Sequence, residues 1–543
     1  MFNHFFNSQT KSISGATGIL AISYIISGLL GLFRDRLLAG IFGAGIETSI
    51  YFAAFRIPDL VYNILILGGI SVAFLPLLAE YFSKDKAEAW RMTNYVLNIF
   101  LFLLALTSLV LFIFTPWLIK FITPGFTPEN KTVAITLTRM LFFSPIFLGI
   151  SSLFSGILQY FNRFLVYSLA PILYNLGIIF GVSVLSPHFG ILGAGLGVIL
   201  GVFLHLIIQI PSAINCGFRY NFLFDFKYPA IKRIVKLMIP RVFGIAANQV
   251  NLIVITAFAS TIAAGSIAIF NFSNNLRGLP VGILGSSLAI AVFPTFSRFW
   301  ANGQKKEFVE KFSSIFRQTI FVLIPTTILM FLLRAQIVRI ILGTGHFGWE
   351  ETRLTAASLG LFSFSIFASA SIPFLARAFF SFQNTKIPAL AAVIFVSFNI
   401  GLSLFFIHFL SFPNFVKDFM ESVLKLQGIG NISVVGLPLA FSIASIFQFF
   451  FLLFFLYKKI GDFGIRKILN STGKILIAGI SMAMATYFSL RISAIFIHLQ
   501  TFWEVFGQAF IAALIGVLVY ILLSKFLKIE EQKIILERLK SFF

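Results

Sequence analysis

The sequence predicts an all-α polytopic membrane protein of about 14 transmembrane helices, built as two six-helix lobes related by a parallel repeat plus two C-terminal helices. Three observations carry that expectation. Hydrophobic residues make up 58% of the 543-residue chain and charged residues 11%, a balance that would leave a soluble fold with an apolar surface. The apolar residues fall in blocks long enough to cross a bilayer, which takes roughly 20 residues of helix. The basic residues gather in every second gap between blocks, the pattern that marks the cytoplasmic side.

In chain order the blocks run at about 13–42, 48–80, 93–119, 132–158, 165–185, 190–212, 236–260, 266–296, 315–342, 354–380, 387–409, 432–456, 472–492 and 503–526. The first follows a single lysine, Lys11, without a convincing small-residue cleavage site, and reads as a retained helix rather than a signal peptide. Basic gaps at Lys84 to Arg91, Arg219 to Lys236, Arg298 to Arg317, Arg377 to Lys386 and Lys458 to Lys474 alternate with gaps poor in charge. An even number of crossings then places both termini in the cytoplasm. The formal charge of +22 reports this topology and contact with anionic lipid, not a nucleic-acid partner. A lone cysteine, Cys216, excludes an internal disulfide.

Two parts of the chain echo each other. Phe74-Leu75-Pro76 is matched by Val292-Phe293-Pro294, Gly125-Phe126 by His346-Phe347, and Asn175-Leu176-Gly177 by Asn399-Ile400-Gly401. The offsets, about 218, 221 and 224 residues, are nearly constant. The expected organisation is a lobe over 1–214, its copy over 215–457, and a two-helix appendage with a cytoplasmic tail over 458–543.

No nucleotide-binding glycine loop, zinc-type His-Glu spacing or nucleophile elbow occurs, so neither an enzyme nor a cofactor or metal site is expected. Only His205 among six histidines lies well inside a span, where a packing or hydrogen-bonding role outweighs a ligand role. The exceptional positions are charges within or against the spans: Arg34, Asp35, Arg36, Arg56, Asp59, Arg139, Arg241 and Arg277. A charge at mid-bilayer costs at least about 2.5–3.5 kcal/mol, so such residues face a polar cavity or a partner. Arg139 and Arg241 lie near helix ends, where snorkelling is the simpler account, while for Arg34 and Arg36 at the outer mouth of the first helix snorkelling and an inward, cavity-facing role stand level. Arg56 is apolar-flanked on both sides, with Asp59 three residues on, either paired with it or exposed where Pro58 breaks the helix. Clustered arginines in the first two helices suit phosphate, which guanidinium binds bidentately. Prolines inside spans (Pro58, Pro171, Pro280, Pro325, Pro373) fit the bent helices of alternating-access carriers, or close helix packing.

Four blocks in order, Gly31-Leu32-Phe33-Arg34-Asp35, Ile41-Phe42-Gly43-Ala44-Gly45, Phe52-Ala53-Ala54-Phe55-Arg56-Ile57-Pro58 and Ala73-Phe74-Leu75-Pro76-Leu77-Leu78-Ala79-Glu80-Tyr81, resemble the N-terminal signature of the MurJ/MviN family. This is the lipid II flippase branch of the multidrug/oligosaccharidyl-lipid/polysaccharide exporter superfamily. The likeness extends through Asn162-Arg163-Phe164 and Pro280 to Gly285 over essentially the whole chain. It implies a bacterial inner-membrane carrier that moves an undecaprenyl-diphosphate-linked sugar–peptide outward, with membrane lipids and cell-wall synthesis proteins as further partners. It also implies that Arg34, Asp35 and Arg56 match diphosphate-binding positions, and that the last two helices line a groove for the lipid tail.

The chain departs from the family pattern at several cavity positions. Gly28 stands where an arginine is usual, Tyr62-Asn63 where a basic pair is, Leu67 and Ser49 at acidic positions, and Asn274-Asn275 where the eighth helix carries Asp-Arg. Asn275 and Arg277 are the remaining candidates there, although two residues turn a helix by about 200° and point them to different faces. Two other readings stay open. The missing arginines favour a flippase for another polyprenyl-linked oligosaccharide or a drug exporter of the same superfamily. A non-transporting scaffold for cell-wall enzymes need not bear the cost of Arg34 and Arg56.

Overall fold

The computed structural model describes residues 13–496, 498 and 500–540. Every regular element among the described residues is helical. Among the described residues thirteen helices are long and apolar enough to cross a membrane, and a bent pair, Trp349–Ser363 with Ile366–Ser381 at 44°, supplies one more span. That agrees with the expected all-helical architecture.

The chain forms two compact units, one reaching Ala268 and including Gly345–Phe347, the other running from Ile269. The first holds α1 (Ile13–Phe42), α2 (Ile46–Ala54), α3 (Arg56–Tyr62), α4 (Ser71–Lys84), α5 (Lys86–Ile122) and α6 (Pro128–Leu141). It continues with α7 (Phe143–Tyr160), α8 (Phe164–Phe180), α9 (Ser186–Phe189), α10 (Ile191–Ile207), α11 (Ile210–Asn215) and α12 (Pro229–Ile262). The second holds α13 (Ser266–Pro280, its first turn in the other unit), α14 (Ser287–Ala301), α15 (Lys305–Leu332), α16 (Arg334–Ile341), α17 (Trp349–Ser363) and α18 (Ile366–Ser381). After these come α19 (Lys386–Ser411), α20 (Phe415–Leu424), α21 (Gly436–Ile460), α22 (Ile465–Phe496), α23 (Phe502–Phe526) and α24 (Glu530–Lys540).

The second block is not one regular helix. It breaks at Phe55, not at Pro58, which falls in the first turn of α3 where no N–H is needed. A π-helical stretch, Asn63–Ile70, then joins α3 to α4. The equivalent span of the second unit carries its own π-helical stretch, Val281–Ser286, directly after Pro280. The repeat is also visible in two turns. Asn162 and Gln383, at φ 57° and 59°, close α7 and α18 in the same left-handed conformation. The next amide reaches back to the helix in both, Arg163 to the Leu158 carbonyl at 2.8 Å and Asn384 to Phe379 at 3.0 Å.

The two interiors are packed differently. In the first unit α8 and α10 meet through glycines: a Cβ on Gly181 would lie 2.3 Å from the Gly197 Cα, and one on Gly177 2.3 Å from the Gly201 Cα. Such contact lets dispersion act where no hydrophobic drive holds helices together in lipid. In the second unit the core is a stack of phenylalanines. Phe296, Phe308, Phe312, Phe316, Phe374 and Phe379 are almost fully buried, with Phe312 and Phe374 stacked at 5.1 Å. Phenylalanine therefore fills the interior as well as the lipid-facing surface, where Trp117 and Phe526 stand exposed.

Two short helices, α20 and α24, were not foreseen, because charged residues interrupt their apolar pattern. α24 is anchored rather than free. Its Glu531 is 1% exposed, is ion-paired with Arg317 of α15, and accepts from Ser471 Oγ of α22 at 3.0 Å. Glu531→Ala leaves the Arg317 guanidinium without that carboxylate. It is expected to destabilise the protein by about 3–5 kcal/mol, read as a lower thermal midpoint in detergent, with Arg317→Met recovering part of the loss. Gly197→Leu forces α8 and α10 apart, and size-exclusion chromatography of the detergent-solubilised variant should show loss of the monodisperse peak; an unchanged profile and midpoint would refute the packing account.

Candidate functional site

Arg34 lies in α1 one position before Asp35, and the structure joins them side by side. The Arg34 Nε and Nη2 donate to one carboxylate oxygen of Asp35 at 3.0 and 2.8 Å. Nη1 donates to the Asn175 Oδ1 of α8 at 3.3 Å. Asn175 is itself fixed, since its Nδ2 donates to the Ser27 carbonyl and hydroxyl and to the Pro171 carbonyl. Arg34 keeps about a quarter of its side chain exposed, whereas Asp35 is buried. The arginine is thus a held group and not one snorkelling freely from a helix end. Tyr51 of α2 and Tyr174 of α8 lie within its electrostatic range.

Arg56 opens α3 immediately after the break at Phe55 and is 8% exposed. Its Nε donates to the Thr256 hydroxyl of α12 at 2.7 Å, and that hydroxyl in turn donates to the Leu252 carbonyl. Asp59 stands one turn further and is an electrostatic neighbour of Arg56. The π-helical stretch begins beyond Tyr62, where the Asn63 amide turns back to the Asp59 carbonyl at 2.7 Å. Irregular helix beside a buried charge is a common feature of functional sites. Arg34, Asp35, Arg56 and Asp59 therefore share the first unit, with tyrosines Tyr51, Tyr62 and Tyr174 around them.

Arg277 belongs to the second unit. Its Nη2 donates to Asn274 Oδ1 at 2.9 Å and Nη1 to Ser369 Oγ at 3.1 Å. The guanidinium lies over the Phe441 and Phe362 rings, at 4.3 and 5.2 Å from their centroids. An aromatic face stabilises a desolvated cation in place of a carboxylate. Asn274 shares the face of Arg277 at a three-residue spacing, while half-buried Asn275 projects from another. Among the remaining singled-out residues, Arg139 lies over Phe112 and donates to its carbonyl at 3.4 Å, as expected near a helix end. His205 Nδ1 meets the Ser151 hydroxyl at 2.6 Å, the hydrogen-bonding role expected for it. The side chain of Arg241 and residues 1–12, including Lys11, lie outside the described residues.

Sequence reading missed the partners. Thr256, Ser369, Phe362 and Phe441 are far from their arginines in the chain, and no local pattern signals them. Asn175 was visible as a repeat marker, yet nothing in the sequence joined it to Arg34.

Comparison with known proteins agrees with this architecture. The family model described as lipid II flippase MurJ matches residues 38–507. The chain is 28% identical over 491 residues to the probable lipid II flippase MurJ of Buchnera aphidicola subsp. Acyrthosiphon pisum, covering 90% of each chain. It is 25% identical over 378 residues to the lipid II flippase MurJ of Burkholderia cenocepacia, covering 68% of this chain and 73% of that one. A solved structure of lipid II flippase MurJ in an inward closed conformation superposes with a TM-score of 0.73 at 25% identity, over 93% of this chain and 98% of that one. An inward-facing multidrug resistance transporter of the MATE family shares the fold, with a TM-score of 0.62 at 14% identity, over 82% of this chain and the whole of that one. With the family model matching residues 38–507, from the end of α1 into the start of α23, the chain belongs to the lipid II flippase MurJ family.

Proposed function

We propose that this protein carries lipid II, the lipid-linked peptidoglycan precursor, from the cytoplasmic to the outer leaflet by alternating access of its repeated lobes. The observation that carries the reading is the family match over residues 38–507. The chemistry of the site supports it. A diphosphate headgroup does not cross bare hydrocarbon, so cations and amides inside the bundle must replace its water while the polyprenyl tail stays in lipid. Arg34 and Arg56 are the groups for the diphosphate, and Asp35 orients Arg34 through two donors to one oxygen. Asn275 and Arg277 are the candidates contributed by the second unit, with Arg277 set in place by Asn274 and Ser369.

The protein acts as a carrier, without covalent chemistry, in the bacterial cytoplasmic membrane, with both termini on the cytoplasmic side. Basic loops such as Lys84 to Arg91 then face the anionic inner leaflet. An inside-negative potential favours outward movement of the anionic headgroup by about 2.3 kcal/mol per charge per 100 mV, and draws the emptied cationic site back. Enzymes that make and use lipid II are the protein partners this reading implies. Asparagines at 274 and 275 and glycine at 28, in place of the usual charges, keep a second reading in view, a flippase for another polyprenyl-linked oligosaccharide.

The test is rescue of a bacterium depleted of its own lipid II flippase. The unmutated protein should restore growth and lipid II turnover at the outer face. Arg34→Ala and Arg56→Ala should each reduce turnover at least about tenfold, and together abolish rescue, at unchanged membrane abundance. Full rescue by the double variant would remove the proposed anion site. Failure of the unmutated, correctly inserted protein would favour the second reading.

A further inference from the structure

Beside the charged cluster of the first unit lies a cavity of about 410 Å³ that the diphosphate does not account for. It falls within the size range of small-molecule sites, roughly 300–1,000 Å³. Its polar lining is neutral: Tyr62, Ser152, Ser155, Gln159, Tyr167 and His205. The hydroxyls of Tyr62, Ser152 and Tyr167 and the amide of Gln159 are neutral donors and acceptors in this lining. His205 uses Nδ1 on Ser151, which fixes the ring and leaves Nε2 for another partner. Gln209 and Ser151 support this lining, with Ser155 Oγ donating to Gln209 Oε1 at 2.8 Å and Gln209 Nε2 donating to Ser151 Oγ at 2.6 Å. Pro171, also in the lining, has no N–H to give the Tyr167 carbonyl. The apolar part of the lining includes Leu67, Phe74, Leu75 and Leu148.

That combination selects a ligand class. A lining that combines several neutral donors and acceptors with apolar side chains suits a sugar ring, which carries hydroxyls on its edge and C–H groups on its faces. Phosphate and carboxylate are poorly served, because no cation lines the cavity. Position agrees with this. Tyr62 lies one turn after Asp59 and within electrostatic range of both Asp59 and Tyr167, so it links the arginine-bearing segment to the cavity. The order along the site is Arg56, Asp59, Tyr62, then the neutral cavity. The order along the substrate is diphosphate, then sugar.

We propose that this cavity is the subsite for the sugar bonded to the diphosphate, with Tyr62, Gln159, Tyr167 and His205 as the residues that recognise it. The inference rests on the lipid-linked-sugar reading given above and adds the place where the sugar is held. It is tested on the purified full-length protein in detergent, by native mass spectrometry with two probes, lipid II and undecaprenyl diphosphate, which has the same tail and diphosphate but no sugar. The unmutated protein should bind lipid II more tightly. Tyr167→Phe with Gln159→Leu removes the hydrogen-bonding groups at nearly constant volume. It should weaken lipid II binding by about fivefold to a hundredfold and leave undecaprenyl diphosphate binding within twofold. Arg34→Gln with Arg56→Gln should weaken both probes together. Equal affinity of the unmutated protein for the two probes, or an undiminished preference in the Tyr167/Gln159 variant, would overturn the sugar subsite while leaving the flippase reading standing. Binding of neither probe by the folded, unmutated protein would instead defeat the flippase reading itself. A Tyr62→Phe variant, which removes one hydroxyl, gives a second measurement should the double variant fail to fold; unchanged discrimination there would equally count against the subsite.

Discussion

A guanidinium taken into hydrocarbon must be met by other groups, and much of this molecule's polar interior is arranged around that requirement. Three arginines show three solutions. Arg34 is held by an adjacent carboxylate and a side-chain amide from another helix. Arg56 is held by a threonine hydroxyl and lies near Asp59. Arg277 rests on two phenylalanine rings with an amide and a hydroxyl at its edge. In the first, a carboxylate oxygen accepts two hydrogen bonds from the cation. Hydroxyl and amide partners orient a guanidinium without cancelling its charge.

Helix irregularity serves the same purpose. The break at Phe55 and the π-helical stretch from Asn63 to Ile70 bracket Arg56, Asp59 and Tyr62. A regular helix through this region would repeat its faces every 3.6 residues. The interruption changes which side chains share a face, and it frees backbone groups that only a polar surrounding tolerates in a membrane. The second unit keeps the π-helical stretch after Pro280, so the device belongs to the duplicated unit and not to one copy. The copies diverge in what they pack: glycine contacts between α8 and α10 in one, a phenylalanine stack in the other.

The charge distribution on the loops and tail has a structural side as well. Basic residues of the gaps are mostly exposed, as expected for groups facing anionic lipid. Arg317 is half-buried, as are Arg377 and Lys474, and it ties α24 to α15 through a nearly fully buried Glu531. The tail beyond the last span is therefore part of the folded second unit up to the limit of the described residues.

The sequence by itself determined the spans, because hydrophobic length and the placement of lysine and arginine are local properties that the bilayer reads directly. It also determined the duplication, through Pro76 and Pro294, Phe126 and Phe347, and Asn175 and Asn399, and it singled out Arg34 and Arg56 by the cost of placing charge among apolar neighbours. Tertiary structure alone decided what meets those charges. Thr256 stands 200 residues from Arg56, and Asn175 stands 141 from Arg34, separations over which helix periodicity carries no information. The same holds for the neutral cavity beside Tyr62: its lining comes from four spans, each apolar on average, whose few hydroxyl and amide groups converge only once the helices pack.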